Sequence, residues 1–170
     1  MTPMSVTAHR ADAPSSVPCL VVTVSDTRTK ETDTSGAAIA EALVAAGHTV
    51  VARELVPDDP VRVANVIRDY LGRMEVQAVI TTGGTGLSKR DTTFEAVTTM
   101  FDRQLDGFGE LFRMLSYEQV GAAAMLSRAC AGVFAGAIVF VLPGSEAAVR
   151  LAMDKLITSE LAHIVREISK

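Results

Sequence analysis

The feature that most limits what this chain can fold into is a recurring order: a short apolar run, then a loop of Gly, Pro, Ser and Asp, then a stretch whose apolar residues fall at helical spacing. Residues 19–24 open the series with Cys, Leu and Val between Pro18 and Ser25, as expected of a strand covered on both faces. A polar loop containing Asp33-Thr34-Ser35-Gly36 follows. Residues 37–46 then place Ile39, Leu43 and Val44 at helical spacing and stop at Gly47. A second cycle runs from a strand at 49–56 through Asp58-Asp59-Pro60 to a helix with Val63, Val66, Ile67 and Leu71 on one stripe. Asp59 before Pro60 predicts that helix start, since it offers a side-chain acceptor at the N-cap and a ring at the first helical position.

The third cycle is a strand at 78–82, then Gly83-Gly84-Thr85-Gly86 and a polar loop to Asp91, then a helix over 93–101. Thr92 and Glu95 have capping-box spacing. Beyond Gly107-Phe108-Gly109, residues 110–120 predict another amphipathic helix, ended by Gly121. A last strand at 137–142 leads through Pro143-Gly144-Ser145 into a helix over 147–157 and a terminal helix over 159–168. Strands alternating with helices give an α/β fold, a three-layer doubly wound, mostly parallel sheet with helices on both faces. Val21, Val22, Val24, Val79, Ile80, Val139 and Val141 are its expected buried strand residues.

A length of 170 residues fits one domain over 18–170, because a chain of this size buries about 70% of its unfolded surface around a single core. Residues 1–17 mix Thr, Pro, Ser, His and Asp and read as a loose tail without the apolar core of a secretory signal. No apolar run approaches the roughly 20 residues that span a bilayer, so a cytoplasmic protein with no membrane partner is expected. Net charge is −4 and there is no run of Lys or Arg, which argues against a nucleic-acid partner. Cys19 and Cys130, each among apolar residues, read as buried reduced thiols.

In an open parallel sheet the ligand crevice lies beyond the carboxyl ends of the strands, so the loops after the strands are the candidates. They hold Ser25 and Asp26, Asp58 and Asp59, the segment from Gly83, Gly84, Thr85 and Gly86 to Asp91, and Pro143, Gly144 and Ser145. The glycine loop lacks the Lys-Ser/Thr of a Walker A loop and the dinucleotide fingerprint. It fits either a phosphate cradle or a tight strand-to-helix turn. Asp58 and Asp91 offer the hard oxygen ligands that Mg²⁺ takes alongside phosphate oxygens, with local capping as the alternative for each. Ser127 with Arg128 suits an anion contact or a subunit contact. His9, His48 and His163 form no metal cluster or triad pattern, which disfavours a serine hydrolase.

Val24-Ser25-Asp26, Asp33-Thr34-Ser35-Gly36, Gly83 to Gly86 through Arg90-Asp91, Gly107-Phe108-Gly109-Glu110, Leu126-Ser127-Arg128 and Leu142-Pro143-Gly144-Ser145 stand in one order over nearly the whole chain. Together they resemble the MoaB/MogA family, and the Gly107 to Ser116 stretch with the Pro143-Gly144-Ser145 ending resembles its MoaB branch. The resemblance implies a molybdopterin-binding fold, assembled as a homotrimer or homohexamer. Active members transfer AMP from Mg-ATP to the terminal phosphate of molybdopterin and release pyrophosphate. It further implies that Asp58 and Asp91 sit where the family's essential aspartates lie, as catalytic residues and Mg²⁺ ligands, with Asp59 a one-residue alternative to Asp58. Ser25, Asp26, Gly83, Gly84, Thr85, Gly86, Ser127, Pro143, Gly144 and Ser145 are the implied substrate-binding positions.

A reaction in which one phosphate attacks another needs alignment and charge neutralisation more than a protein nucleophile, which suits this residue set. Two functions from different classes follow: an adenylyltransferase, and a non-catalytic oligomer that binds molybdopterin or other proteins of the pathway. Phe108, Leu111, Phe112, Met114, Leu115 and Tyr117 exceed what one helical stripe needs, and the excess predicts a subunit contact.

Overall fold

The computed structural model describes residues 13–89 and 91–170. Most of the expected tail, residues 1–12, and Arg90 of the glycine-loop motif lie outside the described residues. The last residue assigned to that tail, Val17, is fully buried.

Strands β1 (Pro18–Val24), β2 (Thr49–Val56), β3 (Ala78–Thr82), β4 (Arg103–Gln104), β5 (Cys130–Phe134) and β6 (Ala137–Leu142) form one sheet in the order β2-β1-β3-β6-β5-β4. β2, β1, β3 and β6 run parallel, while β5 pairs antiparallel with both β6 and β4. The sheet is therefore mostly parallel, with an antiparallel edge. Neither β4 nor β5 has a counterpart in the sequence reading. β5 is short, three of its five residues are Cys, Ala and Gly, and its two-residue turn into β6 is Ala135-Gly136 rather than Asn-Gly. Both turn residues adopt positive φ, +49° and +76°, as a tight hairpin requires.

Alternation along the strands feeds two cores. Cys19, Val21, Ala78, Ile80, Ile138, Phe140 and Leu142 face one layer. It is built from α1 (Thr34–Ala45), α4 (Asp106–Val120), α5 (Glu146–Ala152) and α6 (Thr158–Ile168). Leu20, Val22, Val24, Val79, Val139 and Val141 face the other layer, with α2 (Pro60–Gly72) and α3 (Thr93–Thr98). All seven strand residues expected to be buried are buried. On α2 the stripe Val63, Ile67 and Leu71 meets the sheet, each fully buried side chain contributing about 1.5–3 kcal/mol.

Several helix boundaries differ from expectation for identifiable reasons. α1 starts at Thr34 because Asp33, rather than a residue after the loop, is the N-cap, its Oδ1 accepting from the Gly36 N–H at 2.8 Å. α4 starts at Asp106, so Gly107 and Gly109 lie in its first turn. A Cβ on Gly109 would stand 2.7 Å from the Ala129 carbonyl oxygen, which explains a helical glycine as close approach to the chain entering β5. The expected capping box at α3 does not form: Thr92 makes no side-chain cap bond, and Glu95 pairs with Arg128 instead. α3 ends at Thr98 rather than residue 101. α5 and α6 are joined by one turn of π-helix, Met153–Ile157, instead of a break.

His48 ties the segment entering β1 and the start of α6 to this frame. Its Nδ1 accepts the Val17 N–H at 3.2 Å, and the ring also bonds the backbone at Thr158. Burial holds its pKa below the 6.5 of a free imidazole, the Thr158 bond opposing this only in part. The unfolded chain therefore binds a proton at a pH where the folded one does not, and stability falls as pH drops below about 6.5. Denaturation midpoints are expected to fall between about pH 7.5 and about pH 5.5, and to fall less in His48→Gln. Equal pH slopes in the two proteins would count against this role.

Candidate functional site

The strand order reverses between β1 and β3, and at that point the carboxyl ends of the strands leave a crevice. A cleft of about 170 Å³ lies there, lined by Val24, Ser25, Arg28, Thr82, Gly83 and Gly144 among others. This is a subsite in size, smaller than the roughly 300–1,000 Å³ typical of a whole ligand pocket.

Two glycines make the crevice possible. Gly83 has φ +96°, and a Cβ there would lie 2.2 Å from the Val24 carbonyl oxygen. Gly84 has φ +64°, and its Cβ would lie 2.3 Å from Thr93 Oγ1 and 3.1 Å from Asp58 Oδ1. Gly84 is thus required by packing inside the protein and not only by approach to a ligand. Asp58 Oδ1 accepts from the Thr93 hydroxyl at 3.1 Å, and the Asp58 N–H donates to Asp26 Oδ1 at 3.0 Å. Asp59 is the N-cap of α2, accepting from the Val61 and Arg62 N–H groups at 2.9 and 3.0 Å. Asp59 carries the capping role and Asp58 faces the glycine loop.

Asp91 lies at the other end of that loop, where a Cβ on Gly86 would be 2.7 Å from its carboxylate. Its Oδ2 accepts from the Ser88 N–H at 3.2 Å and from the Ser88 hydroxyl. The Ser88 hydroxyl bond is the main cause that keeps Asp91 below the usual carboxylate range; burial opposes it, and the Ser88 and Gly86 backbone N–H groups and Arg128 add to the lowering. Asp91 is therefore anionic at neutral pH. Asp58 and Asp91 flank one glycine loop, Asp58 beside Gly84 and Asp91 beside Gly86.

Among the described residues, no group of three or more His, Cys, Asp and Glu is arranged to hold a metal. Mg²⁺ needs no such cage, because it is commonly bound by one or two carboxylates, water and substrate phosphates. Two carboxylates at a glycine loop fit that donor set.

The other expected positions divide into two places. Ser25 and Gly144 share the cleft with Gly83, whereas Ser127, Pro143 and Ser145 line a separate hollow of about 180 Å³ between α4 and α5. Ser25 Oγ accepts from the Thr27 and Arg28 N–H groups at 3.2 and 3.1 Å, and Ser145 is the N-cap of α5. Thr85 is buried, and its carbonyl accepts from Arg128 Nε at 2.8 Å.

Three residues that the sequence reading did not single out, Arg28, Thr93 and Ser88, contribute, as does Arg128, which it read as an anion or subunit contact. Arg28 reaches across the cleft, donating to Ser35 Oγ at 2.9 Å and to the Gly144 carbonyl at 3.2 Å. Thr93 and Ser88 each hold one of the two aspartates, and Arg128 binds the glycine loop rather than presenting itself outward. The visible signal for Arg28 was a cation in the loop after the first strand; Thr93 and Ser88 carried none. Cys19 and Cys130 are free and buried, and burial pushes both thiols up to about 12, so neither supplies a thiolate at neutral pH.

Gly84→Ala should cost about 1–3 kcal/mol through its positive φ and displace Thr93 from Asp58. A urea midpoint unchanged from wild type would contradict the packing read at this position.

Comparison with known proteins agrees with this architecture. Residues 20–163 match the family described as a probable molybdopterin binding domain. The chain is 51% identical over 168 residues to molybdenum cofactor biosynthesis protein B of Bacillus anthracis, covering 98% of this chain and 99% of that one. A crystal structure of a molybdenum cofactor biosynthesis protein B superposes with a TM-score of 0.89 at 49% identity, covering 92% of this chain and 98% of the other. The tungsten cofactor synthesizing protein MoaB from Pyrococcus furiosus superposes at 0.84 with 38% identity, covering 93% and 100%. With a family match across most of its length and relatives at half identity over nearly all of it, the chain belongs to the MoaB/MogA family of molybdenum cofactor biosynthesis proteins.

Proposed function

We propose that this chain transfers AMP from Mg-ATP to the terminal phosphate of molybdopterin, giving adenylyl-molybdopterin and pyrophosphate. The observation that carries this reading is the placement of Asp58 and Asp91 on either side of one glycine loop at the carboxyl edge of the sheet. In the reaction a molybdopterin phosphate oxygen forms a bond to the α-phosphorus of ATP, and the bond from that phosphorus to the β-phosphate bridging oxygen breaks. A Mg²⁺ ion would neutralise charge on the phosphates and align them.

The chain's own residues have distinct tasks in this reading. Asp58 and Asp91 are the catalytic residues and would hold the ion. Asp58 is oriented by Thr93, Asp91 by Ser88. Gly83, Gly84, Thr85 and Gly86 form the backbone against which phosphate is placed. Ser25, Asp26, Gly144 and Arg28 shape the cleft next to it, Asp26 by anchoring the Asp58 N–H. Ser127, Pro143 and Ser145 shape the neighbouring hollow, where the uncharged part of molybdopterin would lie.

Asp58→Asn and Asp91→Asn keep side-chain size while removing charge. Each should lower adenylyl transfer by roughly a hundredfold with folding intact and molybdopterin binding largely retained, measured by chromatographic detection of the adenylylated pterin. Normal turnover in both variants would overturn the metal role. Wild-type protein that binds molybdopterin yet never forms the adenylate would favour a non-catalytic pterin-binding or scaffold protein that joins others of the pathway.

The assembly proposed is a homotrimer or homohexamer. Phe108 and Phe112 of α4 enter the core, but Leu111, Met114, Tyr117 and Val120 on the same helix are exposed, as are Met125 and Leu126 just beyond it. An exposed apolar face of this extent is characteristic of subunit contacts. Light scattering should give a trimer or hexamer of the 18.0 kDa chain, and a monomer mass at micromolar concentration would refute it. Among the described residues no helix is long and apolar enough to cross a membrane, and a cytoplasmic location is proposed with this role.

A further inference from the structure

Arg128 stands outside the groups assigned to the reaction, yet its guanidinium is the best-connected side chain around the glycine loop. Nε donates to the Thr85 carbonyl at 2.8 Å, while Nη2 donates to the Gly86 carbonyl at 2.6 Å and to the Asp91 carbonyl at 3.1 Å. Nη1 pairs with Glu95, and the guanidinium carbon lies 4.7 Å from the centroid of the Phe94 ring. Residues 85 and 86 begin the loop and residue 91 ends it, so one planar fork joins both ends. Within the loop, the Ser88 N–H and hydroxyl tie that residue to Asp91 Oδ2, bonds local to the turn. Gly86, Leu87, Ser88 and Lys89 are exposed, and Leu87, its one large apolar side chain, points into solvent. The Asp91 N–H also reaches back to the Ser88 carbonyl at 3.1 Å, and that bond too is local to the turn.

We propose that Arg128 is a positioning residue: by holding the Thr85, Gly86 and Asp91 carbonyls together, it fixes the place from which the Asp91 carboxylate meets a divalent cation. The inference rests on the proposed metal role of Asp91. Its chemistry requires an arginine, since a lysine ammonium is a point donor that cannot span three carbonyls in one plane or stack on Phe94 in the same way. Glu95 and Phe94, in the first turn of α3, also hold the guanidinium, one by an ion pair and the other by its ring face. They convert the position of a helix into the position of a carboxylate.

The test uses the full-length assembled protein as wild type, Arg128→Ala, Arg128→Lys and Glu95→Gln. Mn²⁺ binding in the presence of ATP is read by electron paramagnetic resonance, and amide hydrogen exchange is read without any ligand. Arg128→Ala should weaken Mn²⁺ binding roughly tenfold, the scale seen when outer groups that orient a metal ligand are removed. Its loop amides around 85–91 should exchange faster while those of β3 and β6 keep their protection. Added guanidinium should restore part of the Mn²⁺ affinity, and Lys should restore less than Arg. Should Arg128→Ala fail to fold, Glu95→Gln, which leaves the three carbonyl bonds in place, should show the same shifts in smaller measure. Unchanged Mn²⁺ affinity and loop exchange would overturn the proposal, as would an equal loss of protection throughout the sheet, which would make Arg128 a general support of the fold. A wild type that forms no adenylate while its Mn²⁺ binding still depends on Arg128 would overturn the proposed activity and support this inference. A wild type that binds no Mn²⁺ with ATP would overturn both.

Discussion

Everything at the carboxyl edge of this sheet depends on how closely backbone meets backbone at Gly83. The residue lies against the Val24 carbonyl, so that the ends of β1 and β3 touch where any side chain would hold them apart. Its N–H donates to the Leu142 carbonyl at 3.1 Å, and the Thr82 hydroxyl donates to the Pro143 carbonyl at 2.8 Å. Gly144 closes the contact from the third strand, since a Cβ there would be 3.3 Å from Gly83 Cα. Three strand ends are thereby locked together, and the loops that leave them start from fixed points. A functional loop is only as well placed as the rigid elements that carry it.

A second consequence follows from burial of the sheet on both faces. Because β1, β3 and β6 are covered above and below, only side chains at their carboxyl ends, such as Val24 and Thr82, reach the cleft, and function is concentrated in the loops and helix starts at the edge. Asp33 shows how a polar group is accommodated there. It is buried, caps α1 through Gly36, accepts the Thr23 hydroxyl at 2.8 Å and pairs with Arg53 at 3.2 Å. Such a carboxylate is fully engaged with its own fold. Asp58 and Asp91 differ in lying beside the glycine loop, which is why they, and not Asp33, are assigned to a ligand.

What the sequence made legible were the features set by periodicity and by local chemistry. β2, β3 and β6 and the Asp59-Pro60 start of α2 lie where apolar patterning and capping rules place them. The missed elements depend on distant partners: β5 is a strand because β6 pairs with it, and its Cys-Ala-Gly-Val-Phe composition carries little strand signal alone. The same holds for Gly107 and Gly109, which read as breakers but lie inside α4, Gly109 because the chain entering β5 passes too close for a side chain. At the site, carboxylates and glycines stood out by type. The groups that aim them were not legible in that role, because Thr93 meets Asp58 across 35 residues and Arg128, read as an anion or subunit contact, meets Thr85 across 43.

Ser25 illustrates how a residue with an evident local job still suits the proposed ligand. A hydroxyl has two acceptor lone pairs and one donor proton. The lone pairs of Ser25 Oγ receive the Thr27 and Arg28 N–H groups, which bends the loop so that Arg28 returns over the cleft. With both lone pairs engaged, what the hydroxyl has left to offer a ligand is its proton, and a proton donor beside an arginine in a glycine-floored cleft is complementary to an anionic oxygen. A cation in that cleft would instead meet a guanidinium. The two aspartates lie beside Gly84 and Gly86 of the loop whose Gly83 lines the cleft, so the edge sets a part suited to anionic oxygens next to a part suited to a metal ion. Phosphates bridged by a divalent cation present both kinds of surface at once, which is the arrangement this edge matches.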